Sequence, residues 1–136
     1  TSMYGSPNAE HKPYKITSNS IDKNDSSGKL IEFPLLVTTF LGKKIPAAGG
    51  FYLRTLPTKV IKNTLKSYQK KNMPGSFYIH SWELTPELMP KLDLPFKDKF
   101  TTYHNLGKAY SRMAELLKSF EFTSFSNYIT ENKMIS

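Results

Sequence analysis

An α/β fold with parallel strand pairing is what this sequence predicts, on three observations. Short apolar, β-prone runs alternate with stretches of helical period, giving strand, helix, strand, helix, strand over residues 29–136. Two of the stretches carry an apolar face, opposed in Thr58–Lys71 by lysines. Two helices are too few to cover both faces of a parallel sheet, so the chain is expected to belong to a larger α/β unit. Residues 1–136 form one domain in this reading, with an irregular surface loop over 1–28.

The elements follow in order. Residues 1–28 are polar and rich in Ser, Asn, Pro and Gly, with a turn at Asn24–Gly28. Leu30–Phe40 is apolar and β-prone, interrupted by Pro34, which lacks an amide donor and suits a strand edge. Gly42–Lys44 is expected to turn, and Ala47–Tyr52 to lead through small residues into a helix. Pro57 fits a first helical turn. Thr58–Lys71 reads as a helix with Val60, Ile61, Thr64, Leu65 and Tyr68 on one face. Asn72–Gly75 ends it, and Ser76–His80 is a short strand. Pro86, Pro90 and Pro95 break Leu84–Lys99 into an irregular excursion. Asn105 is a candidate N-cap for a helix whose apolar face includes Tyr110, Met113 and Leu116. Glu121–Tyr128 reads as a last short strand or turn, with Phe122 and Phe125 inward.

Composition narrows the classes. The chain has no cysteine, which removes disulfides, zinc thiolates and cysteine nucleophiles. No run approaches the roughly 20 apolar residues of a membrane span, and no signal-peptide pattern opens the chain. The opening Thr1-Ser2-Met3-Tyr4-Gly5 reads as a fragment boundary, which leaves cytoplasmic and bacterial cell-envelope locations both open. The net charge of +8 comes from dispersed lysines, with Arg54 and Arg112 the only arginines. That pattern reads as solvated surface rather than a nucleic-acid interface.

The segment Ser76–Glu83 concentrates the chemistry. It delivers His80, the single tryptophan Trp82 and Glu83 at the end of an apolar run. Histidine is suited to proton transfer near neutral pH. Trp82 can pack or stack on a sugar. Glu83 can ion-pair with a lysine, the default, or accept from the His80 ring. Gly49 and Gly50 serve a tight turn or a substrate's approach to the backbone. Arg54 binds its structural surroundings or an acidic sugar. His11 and His104 read as surface or core-edge residues, and Glu32 as an internal ion-pair member on a buried strand.

These residues resemble the C-terminal portion of the NodB-like polysaccharide deacetylases, closest to the subgroup of exopolysaccharide loci. Tyr4-Gly5-Ser6-Pro7-Asn8-Ala9 is similar to the family's Tyr-Gly-x-Pro loop, and Pro13-Tyr14-Lys15-Ile16 to the segment after it. Leu30-Ile31-Glu32-Phe33-Pro34 resembles its Glu-x-Pro strand. Pro46–Pro57 resembles Pro-x-x-Gly-Gly-x-Tyr-x-Arg-x-x-Pro, and Phe77–Glu83 resembles Phe-Tyr-x-His-Pro-Trp-Glu, with Ser81 in place of proline. The helix after Asn105 and Phe120-Glu121-Phe122 are similar to the closing helix and strand. Tyr78 stands where many relatives place leucine.

The resemblance implies the C-terminal part of a distorted (β/α)7 barrel, incomplete in this chain. It implies a parent carbohydrate N-deacetylase, a hydrolase acting on linear amides. His80 would be the general acid, with Tyr78, Trp82, Gly49, Gly50 and Arg54 on the substrate side and Glu83 behind His80. The implied partners are a polysaccharide substrate and the N-terminal half of the domain. The full enzyme would use a divalent metal such as zinc. The Asp-Asp pair and His-x-x-x-His motif that bind it are absent here, so this chain alone is expected to bind none. The alternative is a non-catalytic carbohydrate-binding or interaction module derived from that family.

Overall fold

The computed structural model describes residues 5–135. Tyr4, the first residue of the Tyr-Gly-x-Pro-like loop, lies outside them. The architecture is mixed α/β with small antiparallel sheets. Strands β1 (Tyr14–Ile16) and β2 (Leu30–Glu32) pair with Tyr14 opposite Glu32 and Ile16 opposite Leu30. Strands β3 (Val37–Phe40) and β4 (Lys43–Pro46) form a hairpin with Val37 opposite Pro46 and Phe40 opposite Lys43.

This corrects the expected parallel pairing. The run from Leu30 to Phe40 is two strands, not one. Its halves turn to different partners on either side of Phe33-Pro34-Leu35, because proline cannot donate to a continuous ladder. The hairpin turn is Leu41-Gly42, both at positive φ (49° and 75°). That is the geometry a two-residue loop needs to follow the twist of its strands. The turn expected to run through Lys44 is therefore shorter, and Lys43 starts β4. Residues 76–80 form no ladder. Two isolated parallel bridges tie them to the rest, Leu35 with Ser76 and Gly49 with Tyr78. No barrel closes among the described residues.

Helices α1 (Gly50–Thr55) and α2 (Thr58–Lys70) follow the hairpin. The predicted apolar face of α2 is in place, with Ile61, Thr64, Leu65 and Tyr68 buried. A buried isoleucine or leucine contributes about 1.5–3 kcal/mol relative to an exposed one, which outweighs the modest propensity of this lysine-rich helix. These side chains join Leu36, Ala47, Ala48, Leu53, Leu56 and Leu116 in one core.

After the short α3 (Ser81–Leu84) the chain crosses a single 3₁₀ turn, Pro86–Leu88, to α4 (Phe96–Tyr103). Asn105 stands at the N-cap position of a second 3₁₀ turn, Leu106–Lys108, rather than of the helix itself, makes no side-chain cap bond, and adopts a left-handed conformation at φ 52°. α5 (Ala109–Ser119) buries Ala109 and Leu116. Its Tyr110 is exposed, which corrects the expected core stripe, whereas Met113 does pack on the core. Arg112 on α5 donates from Nη1 to the carbonyls of Leu53 and Leu56, both at 2.8 Å. A cation there satisfies the open C-terminal end of α1.

The expected last strand is instead α6 (Phe125–Glu131), whose N-cap Ser124 accepts from the Asn127 amide at 3.1 Å. Phe122 and Phe125 are not inward core residues. Both are largely exposed and make ring contacts with Phe77 and Phe33 respectively. Glu32 is exposed on β2 rather than ion-paired in an interior. No helix among the described residues is long and apolar enough to cross a membrane.

Candidate functional site

The site is built on residues 76–83. Alternation along extended backbone sends successive side chains to opposite faces. Phe77 and Ile79 pack on the core, whereas Tyr78 and His80 face outward. The backbone is fixed by Leu36 N donating to Ser76 O at 3.2 Å and Tyr78 N donating to Ala48 O at 2.9 Å. A cleft of about 890 Å³ opens on the Phe77 and Ile79 side, and its lining includes none of the predicted site residues.

His80 is the N-cap of α3, and Glu83 stands at the third helical position. From there the Glu83 Oε2 accepts the His80 backbone N–H at 3.1 Å, the reach-back of a capping box. The same oxygen lies 3.4 Å from His80 Nδ1. On the far side of the ring, Nε2 is 2.7 Å from the Tyr78 hydroxyl. Trp82 stacks on the imidazole at 5.4 Å between centroids, and Tyr78 meets it edge-on at 4.6 Å. The imidazole remains 45% exposed and the Tyr78 side is open.

Behind this corner is a buried ion pair. Arg54 and Glu83 are 1% and 2% exposed, and Arg54 Nη2 is 3.1 Å from Glu83 Oε1. Arg54 Nε donates to the same oxygen at 3.1 Å and to Gly50 O at 3.2 Å. Nη1 donates to the carbonyls of Thr102 (3.2 Å) and His104 (2.7 Å), and Nη2 to that of Thr101 (3.1 Å). Only a planar guanidinium can serve a carboxylate and the end of α4 together. Its carbon also lies 5.9 Å from the centre of the Trp82 ring and 6.0 Å from that of Phe51.

The predicted site residues therefore divide. His80, Tyr78 and Trp82 form one exposed corner, and Gly49 lies beside it, bridged to Tyr78. Arg54 does not belong on the substrate side, since every nitrogen of its guanidinium is engaged internally. Gly50 is buried against Glu83, where a Cβ would overlap the carboxylate. Its reason is room for that carboxylate rather than for substrate. Glu83 pairs with Arg54, not with a lysine.

The sequence reading missed the carbonyls of Thr101, Thr102 and His104 as Arg54 partners. His104 itself stacks on Phe100 at 4.4 Å, and that aromatic pair at i,i+4 was the available signal. Among the described residues no three His, Cys, Asp or Glu side chains come close enough to hold a metal ion. The described residues therefore do not fit the metal that the resemblance implies.

Fold and site together define a mixed α/β domain that displays a histidine in an aromatic corner over a buried ion pair. The chain belongs to the family described as a domain of unknown function, DUF3473, whose model matches residues 1–130. Neither a curated protein nor a solved structure matches it.

Proposed function

We propose that this chain is the C-terminal part of a metal-dependent deacetylase acting on N-acetyl amino sugars of a polysaccharide. It supplies the general acid His80 and part of the substrate cleft. The barrel of the deacetylase type would be completed by an N-terminal half. The observation that carries this reading is the His80 imidazole, 45% exposed, with the exposed Tyr78 on one side and the half-buried Trp82 stacked on its ring. The order of the motifs along the chain supports it.

The chemistry follows from what amide hydrolysis needs. When the tetrahedral adduct of an acetamide collapses, the C–N bond breaks and the sugar nitrogen must gain a proton. An imidazolium at hydrogen-bond distance donates it from Nε2. The Tyr78 hydroxyl now at that nitrogen is the placeholder an amine would displace. The exposed Tyr78 offers an apolar ring to a pyranose, and the half-buried Trp82 backs the imidazole beside it.

The test is acetate release from an N-acetylated polysaccharide by the complete protein. His80→Ala should lower the rate by about 10²–10⁴-fold, the usual worth of a positioned acid. Full activity of that variant would refute the assignment. The exposed Tyr78 beside the half-buried Trp82 also favours a second reading, a glycan-binding module without catalysis. Calorimetric glycan binding that is lost in Trp82→Ala, with no acetate released by the complete protein, would select it.

A further inference from the structure

We infer that Glu83 is the positioning residue of His80. It fixes the ring as the Nδ1–H tautomer with Nε2 turned outward, and Arg54 and Gly50 hold Glu83 in place for that task. The consequence for catalysis rests on the reading of His80 as an acid, whereas the tautomer does not.

An ionised carboxylate only accepts hydrogen bonds. The Glu83 Oε2 lies 3.4 Å from Nδ1, and a hydrogen on Nδ1 gives that oxygen a second donor beside the His80 amide. In the neutral ring Nε2 then accepts, and the Tyr78 O–H donates to it across 2.7 Å. When the ring is protonated, Nε2–H donates to the Tyr78 oxygen across the same gap. Only the hydroxyl hydrogen has to turn. The ring thus keeps one orientation in both charge states, as a residue that gives and regains a proton must.

Glu83 itself cannot drift. Its Oε1 is held by Arg54 Nε and Nη2 at 3.1 Å each, and its Oε2 by the His80 amide at 3.1 Å. The missing side chain of Gly50 leaves the volume that the carboxylate fills. The two oxygens have separate duties, one toward the cation and one toward the imidazole. The partner that one ring nitrogen meets sets which nitrogen is protonated.

The experiment is side-chain ¹⁵N spectroscopy of the full chain, about two pH units above the ordinary imidazole value of about 6.5. A protonated Nδ1 and a bare Nε2 for His80 are expected, and a dominant Nε2–H form would overturn the inference. Tyr78→Phe leaves the ion pair intact, so the Nδ1–H form should persist in it. A switch to Nε2–H in that variant would give control to Tyr78 and likewise overturn it. Glu83→Gln, where it folds, should mix the two tautomers, and an unchanged spectrum would count against Glu83. In the acetate assay the same variant should lose kcat while KM stays nearly unchanged. An Nδ1–H tautomer together with a fully active His80→Ala would sustain the positioning and sink the acid role of His80 instead.

Discussion

Gly50→Ala is the sharpest test of the buried site. Gly50 is not a left-handed residue, so conformational freedom is not the reason for glycine there. The reason is space. An alanine Cβ at residue 50 overlaps both oxygens and the carboxyl carbon of Glu83, whose side chain is 2% exposed. The carboxylate must leave, and Arg54 then keeps its main-chain carbonyls but loses its counter-charge. Breaking a buried pair costs about 3–5 kcal/mol, and the retained carbonyl bonds put this case near the lower end, about 3 kcal/mol. Against a typical total of about 5–15 kcal/mol that is a large share. With a urea slope of about 2 kcal/mol per M, the midpoint should fall by about 1.5 M. Gly49→Ala is the matched control. Its Cβ meets only Tyr52 Cδ2, at an ordinary 3.7 Å, and its stability should stay within about 0.5 kcal/mol, because lost N-cap preference offsets reduced chain entropy. Equal midpoints for the two variants would refute the space argument.

Other outcomes are expected elsewhere in the fold. Leu41→Asn relieves a non-glycine residue at φ 49° in the hairpin turn and should raise stability by about 0.5–1 kcal/mol in the same denaturation assay. Leu53→Ala removes a fully buried core side chain and should cost about 2–5 kcal/mol, read from the thermal midpoint. Burial raises the Tyr68 hydroxyl above its ordinary value of 10.0, partly offset by the hydrogen bond from Val37 N. A raised folded value means that its contribution is present below about pH 10 and is lost as pH rises through the folded value. Tyr68→Phe should therefore flatten the alkaline limb of a stability-versus-pH curve, and an unchanged limb would exclude Tyr68 as its source.

Local periodicity was legible where one element supplied the whole signal. The α2 face from Ile61 to Tyr68 followed from its spacing alone. What escaped the sequence was pairing at a distance. Nothing in Glu83 says that its partner is Arg54, 29 positions away, rather than one of many nearer lysines. Strand direction was lost for a related reason. Three- and four-residue strands carry too little pattern to choose a partner, and Leu41 gives no warning of a turn. The α6 error was avoidable, since Ser124 ahead of Phe125 and Tyr128 is an N-cap followed by helical spacing.

The handling of positive charge has a consequence of its own. The chain holds 19 basic residues, and only Arg54 and Arg112 are arginines. Both bind main-chain carbonyls at helix ends inside the fold, while no lysine is buried. Architecture and solvation are thus assigned to different chemistries. Acetylation or reductive methylation of every lysine would change or cloak the outer charge and leave the scaffold standing. A lysine in place of Arg54, formally conservative, would bring three donors to a position that uses a planar fork of five.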